Sequence, residues 1–136
     1  MAALTKERDT KARAGETIAL GAAASVTLYA GALAALDGNG NAAPGAAATS
    51  LRGLGRVKKT VDNSSGSAGD EVVEIEKGIF RFANSAGADE VTAADIGSDC
   101  WIVDDQSVAK TDGSGTRSVA GRVFDLDARG VWVKFD

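Results

Sequence analysis

The sequence predicts a mainly β protein. It should be a small β-barrel or sandwich-like domain of short antiparallel strands over residues 15–136, with one short helical turn and an extended N-terminal arm over residues 1–14. Three observations predict it. Apolar and polar residues alternate at a period of two in segment after segment, as they do in a strand with one buried face. Clusters of Gly, Asn, Asp and Ser separate those segments at turn-like intervals. The 136 residues are the size of one compact domain, and the 44% of apolar residues is largely alanine with only 5% aromatics. A core of small and β-branched residues follows, with room for oligomeric contacts to add burial.

The elements can be taken in order. As a helix, Thr5–Ala14 has Thr5 as N-cap, Glu7–Lys11 and Asp9–Arg13 pairs, and Gly15 as a stop. Beyond Leu4 it has no apolar stripe, and a free helix of this length is marginal in water. The stretch therefore reads as an arm that orders against a partner, with Leu4, Thr5, Lys6, Arg8, Lys11 and Arg13 as contact residues. Ile18–Leu36 carries no charge and has the look of a signal peptide or membrane span. Glu7, Asp9 and Glu16 ahead of it, and Ser25, Thr27 and Tyr29 within it, argue instead for strands. Residues 1–36 are accordingly expected to survive in the mature chain.

Candidate strands are Thr17–Leu20, Val26–Gly31 and Leu33–Asp37, followed by a turn at Asp37–Asn41 and a small-residue linker at Ala42–Ser50. Gly53–Val61 is the next strand region, and Asp62–Asp70 an exposed loop. In Glu71–Phe82, Val73 and Ile75 alternate with glutamates, and after Lys77-Gly78 the apolar parity passes to Phe80 and Phe82. That predicts a bulge or sharp bend at the glycine. Thr92-Ala-Ala-Asp95 has the form of a capping box and predicts a helical turn at 92–96. Cys100–Val103 is a compact strand, and Thr111–Arg117 a loop. A closing hairpin runs from Val119–Leu126 through Asp127–Gly130 to Val131–Phe135. Gly55-Arg56-Val57 and Gly121-Arg122-Val123 each begin a strand, an echo that reads either as two similar hairpins side by side in one sheet or equally as chance.

Several chemistries are excluded or disfavoured. With no histidine, histidine-dependent nucleophile pairs, histidine general bases and most zinc or copper sites fall away. One cysteine, Cys100, allows no internal disulfide, which suits a reducing cytoplasm. In its apolar run it reads as a small buried hydrophobe rather than a reactive thiol. The arm holds four bases against two acids, a net +2, and the remaining eleven bases and seventeen acids give −6. An acidic body without a clustered basic, aromatic strip disfavours nucleic acid. Asp99, Asp104 and Asp105 form the densest carboxylate group, but adjacent strand residues face opposite ways, so solvated loop charge is the stronger reading. Asp37–Asn41 has the spacing of a calcium loop without its closing glutamate, since Ala48 stands there. The Gly-x-Gly patterns lack a phosphate loop's spacing. Arg56, Lys58 and Lys59 read equally as a face for an acidic partner or as an exposed strand face. Trp101 and Trp132 read as core or subunit-interface anchors. No catalytic, cofactor or metal residue is assigned.

The order Tyr29-Ala-Gly-Ala-Leu33, Ala34-Ala-Leu-Asp-Gly38, Leu54-Gly-Arg-Val57, Gly69-Asp-Glu-Val-Val-Glu-Ile-Glu-Lys-Gly-Ile-Phe80, Ile96-Gly-Ser-Asp-Cys-Trp-Ile-Val-Asp-Asp105 and Ala120-Gly-Arg-Val123 resembles the small head decoration (capsid cement) proteins of tailed bacteriophages. The likeness spans roughly residues 5–135 and lies in the order of short motifs. Trp101 departs from it, as do the arginines within both Gly-Arg-Val segments. The resemblance implies a structural virion protein on the outer surface of the phage head, made in the host cytoplasm. It would bind as a homotrimer or dimer and clamp neighbouring major capsid protein subunits, with no cofactor and no direct contact to nucleic acid or membrane. The competing class is a non-catalytic β binding module of a virion or cell surface, which calls for exposed aromatics along one face. Only Tyr29, Trp101 and Trp132 offer themselves.

Overall fold

The computed structural model describes residues 2–136. The strands are β1 (Thr17–Gly21), β2 (Val26–Leu28), β3 (Leu33–Leu36), β4 (Ala42–Pro44), β5 (Arg52–Val57) and β6 (Val61–Asn63). They continue as β7 (Val72–Glu76), β8 (Gly78–Phe82), β9 (Asp99–Ile102), β10 (Val108–Ala109), β11 (Val119–Asp127) and β12 (Gly130–Phe135). A first sheet has the order β1-β7-β5-β3-β4 and a second the order β10-β9-β11-β12-β8, while β2 and β6 form a two-stranded ribbon. Every ladder within these sheets is antiparallel, and neither sheet closes into a barrel among the described residues.

The sheets stack in layers, and β3 shows why its sequence lacks charge. Leu33 and Ala35 enter a core shared with Cys100, Ile102, Val123, Val131 and Val133 of the second sheet. Ala34, on the opposite face, enters a second core with Leu28, Val57, Val73 and Ile75, beneath the ribbon. A central strand buried on both faces needs an apolar residue at every position. Small residues also let the layers approach. A Cβ placed on Gly53 of β5 would lie 1.8 Å from the Ala120 carbonyl oxygen of β11.

The corner at Lys77-Gly78 is a bend that carries the chain from the first sheet to the second. The β1–β7 and β8–β12 ladders are regular on either side of it, so no bulge is needed. Side-chain alternation continues through the bend, and what changes is the face that is covered. Val73 and Ile75 point into the core under the ribbon, and Phe80 and Phe82 into the core between the sheets. Gly78 sits at φ +146°, where a side chain is disfavoured.

Several expectations are corrected. Two 3-10 turns stand where one helical turn was expected, Gly87–Asp89 and Ala93–Asp95. The second is the capping box, with the Asp95 carboxylate accepting from the Thr92 N–H at 2.8 Å. The Ala42–Ser50 linker begins with β4, which completes an edge of the first sheet. The Gly53–Val61 region is split, with β5 in the first sheet and Val61 opening β6 of the ribbon. Val26–Gly31 ends as a strand at Leu28. The two Gly-Arg-Val segments lie in different sheets. Each glycine stands next to a register shift, where β5 meets β3 and where β11 meets β9.

Candidate partner interface

The arm makes no regular structure from Ala2 to Gly15, and every residue in it is exposed, Leu4 at 70%. Its internal contacts are local: the Thr10 N–H donates to the Arg8 carbonyl at 3.0 Å, and Lys11 pairs with Asp9. Among the described residues, no hydrogen bond or ion pair joins residues 2–15 to the body. The first tie is at Glu16, whose carbonyl accepts from the Lys77 N–H at 2.7 Å. Thr5, Lys6, Arg8 and Arg13 thus stand clear of their own domain together with Leu4 and Lys11.

Trp101 and Trp132 lie on the outer face of the second sheet, half-buried, while their chain neighbours Cys100, Ile102, Val131 and Val133 fill the core. The Trp132 indole Nε1 donates to Asp127 Oδ2 at 3.0 Å, and the Arg81 guanidinium lies 5.3 Å from the ring centre. That bond, the Arg129 N–H and Arg81 together hold the Asp127 carboxyl below the usual carboxylate range. Cross-strand pairing sets Arg122 directly opposite Lys134 on the same face. Phe124 was not singled out from sequence. It falls at the register shift between Val123 and Asp125, and it is 54% exposed. A bulge presents an extra residue outward, and the signal for it was the polar Asp125 following Val123-Phe124 where strict alternation would reverse. Tyr29, 61% exposed, stands at the end of β2 in the ribbon, so the candidate aromatics are not all on one sheet face.

Two members of the basic run at the end of β5 pair with glutamates of β7. Arg56 meets Glu76 at 3.0 Å and lies 4.3 Å over the Phe80 ring, and Lys58 approaches Glu74 at 3.7 Å. Lys59 is exposed.

The acidic groups act on backbone and loops. Asp37 Oδ1 accepts from the Asn39 and Asn41 N–H groups, and Asp104 from that of Gln106. Asp89 accepts from Thr111 and Arg117, contacts that lower its pKa. Among the described residues no three His, Cys, Asp or Glu side chains converge as a metal site would require. Cys100 is fully buried, and burial pushes its thiol up to about 12. It is the small hydrophobe expected. Compared with family models, curated proteins and solved structures, the chain matches none.

Proposed function

We propose that this protein is a capsid decoration protein that binds the outside of a phage head and braces contacts between major capsid protein subunits. The observation that carries the reading is the arm. It is an exposed segment of net positive charge, and among the described residues no hydrogen bond or ion pair ties it to its own acidic body. Such a segment costs ordering entropy and returns nothing until it meets a partner. The order of motifs along the chain, in its likeness to head decoration proteins, names the partner class. Stacked sheets with an apolar core on each face of the first sheet supply a folded body behind the arm. Several modest contacts per copy, repeated by symmetry as a trimer or dimer, add through effective concentration.

The test is to mix the purified protein with heads that lack it. Saturable binding at a fixed ratio to capsid subunits, with a raised temperature of head disruption, is the expected result. Failure to bind, or binding without added heat resistance, ends the reading. A non-catalytic binding module of a virion or cell surface is the second reading, favoured by Phe124 and Trp132 on an exposed sheet face. Binding to glycans that Trp132→Ala abolishes would place it first.

A further inference from the structure

The outer edge of the bent β7–β8 strand is paired at both ends and open in the middle. Backbone N–H and C=O groups point to alternate sides along a strand. Lys77 faces the β1 side, where its N–H donates to the Glu16 carbonyl at 2.7 Å. Ala83 faces the same side, its N–H donating to the Gln106 carbonyl at 2.8 Å and its carbonyl accepting from the Val108 N–H at 2.9 Å. Phe82 faces the other way, towards β12, for a Cβ on Gly130 would meet its carbonyl oxygen at 2.3 Å. Ile79 and Arg81 therefore present their N–H and C=O groups to the open side. Among the described residues no backbone group pairs with them there. A groove of about 460 Å³ adjoins this stretch, with Gly31, Arg56 and Trp132 among its walls.

From these observations we infer that residues 12–15 are a strap for this gap, extending β1 round the corner onto the free edge of β8. The register already in place assigns the pairing. Thr17 stands opposite Glu76, and the Glu16–Lys77 bond continues the ladder one step. The same register sets Gly15 opposite Gly78, Ala14 opposite Ile79 and Ala12 opposite Arg81. The two glycines face each other at the bend, where both strands must turn. A Cβ on Gly15 would touch nothing within 4 Å, so its place there reflects no crowding in the open arm. Ala12 and Ala14 are small enough to lie beside Arg81 and Ile79.

An unpaired edge invites a strand from any source. The tether through Glu16 gives the chain's own arm a high effective concentration over a second copy's arm. In that register Arg13 would arrive opposite Phe80, whose ring lies under the Arg56–Glu76 ion pair. As part of the proposed attachment, closure would shorten the free arm to the residues before Ala12 and fix where it leaves the body. The inference takes only that purpose from the decoration reading and is tested without heads.

The test is a disulfide trap in the isolated full chain carrying Ala14→Cys and Ile79→Cys, both exposed positions, oxidised with oxidised glutathione. The control pairs Arg13→Cys with Ile79→Cys, a tether of nearly equal length whose two side chains the register places on opposite faces of the paired strap. The expected result is an intramolecular disulfide, read by intact mass and non-reducing gel, forming at least about tenfold faster than in the control. Equal rates in the two pairs would overturn the strap. So would disulfide-linked dimers as the main product, which would assign the edge to a second copy's arm.

Discussion

Of the glycines, Gly53 leaves the least room for a side chain. Its missing side chain is what allows β5 to touch the β11 backbone at Ala120. Gly53→Ala forces the two sheets apart and should lower stability by about 3 kcal/mol, since overpacking against backbone has no flexible side chain to yield. Gly38, in the exposed turn, has nothing within 4 Å of a built Cβ. Gly38→Ala should change stability by no more than about 0.5 kcal/mol. Chemical denaturation of both variants checks the pair. Equal effects would mean that the sheet crossing is not close-packed. Asn63 works by the opposite means, as a buried polar side chain. Its Nδ2 donates to the Ala23 and Ser67 carbonyls, tying the ribbon to the loop that follows it.

At the scale of elements, turns and loops are held by aspartates that bind backbone and side-chain donors. Asp62 is lowered by Ser64 and Thr27, Asp89 by Thr111 and Arg117, Asp95 chiefly by the Thr92 backbone, and Asp127 by Trp132 first. All four carboxyls lie below their ordinary value of 3.8 in the folded protein. An unfolded chain then binds protons more readily than the folded one as pH falls. Their stabilisation is complete above the ordinary value and is lost as pH drops through the lower folded values. The thermal midpoint should be flat from pH 7 to about 5 and decline below about 4. A midpoint that holds steady to pH 3 would contradict these contacts. Ser118 closes another connection in the same way, with its Oγ bound to the Ala48 carbonyl and accepting from the Leu51 N–H.

At the scale of the whole molecule, the body and the arm divide the work. Two cores on either side of the first sheet make up the body, and among the described residues the arm adds nothing to either. Deleting residues 1–14 should therefore leave the unfolding midpoint within about 2 °C of the full chain, because no buried surface is lost. The same deletion should weaken attachment to heads by at least about tenfold, as the loss of one site from a multivalent contact does. Calorimetry and a head-binding titration check the two halves separately. A truncated chain that binds as well as the full one would show that the arm is not the point of attachment. Binding that survives truncation but falls with Trp132→Ala would move the interface to the outer face of the second sheet.

Local chemistry was enough to identify β1, β3, β7, the corner at Gly78, the turn at Thr92–Asp95, the closing hairpin and the buried Cys100. Each rests on alternation, capping or a glycine, which are properties of neighbours in the chain. The sequence by itself also marked out the arm, since a charged stretch without an apolar face has no core to join. Only the tertiary structure decided which sheet each strand enters and which face of it is covered. Ala42–Pro44 reads as linker until β3 pairs with it, and Val57 and Val61 read as one strand until the chain crosses from sheet to ribbon. Trp132 has the composition of a core residue, yet Val131 and Val133 take the inner face and leave it to Arg81 and Asp127 outside. The physical reason is the same in each case. Alternation says that one face is buried, whereas the layer that covers it is supplied by residues far away in the chain.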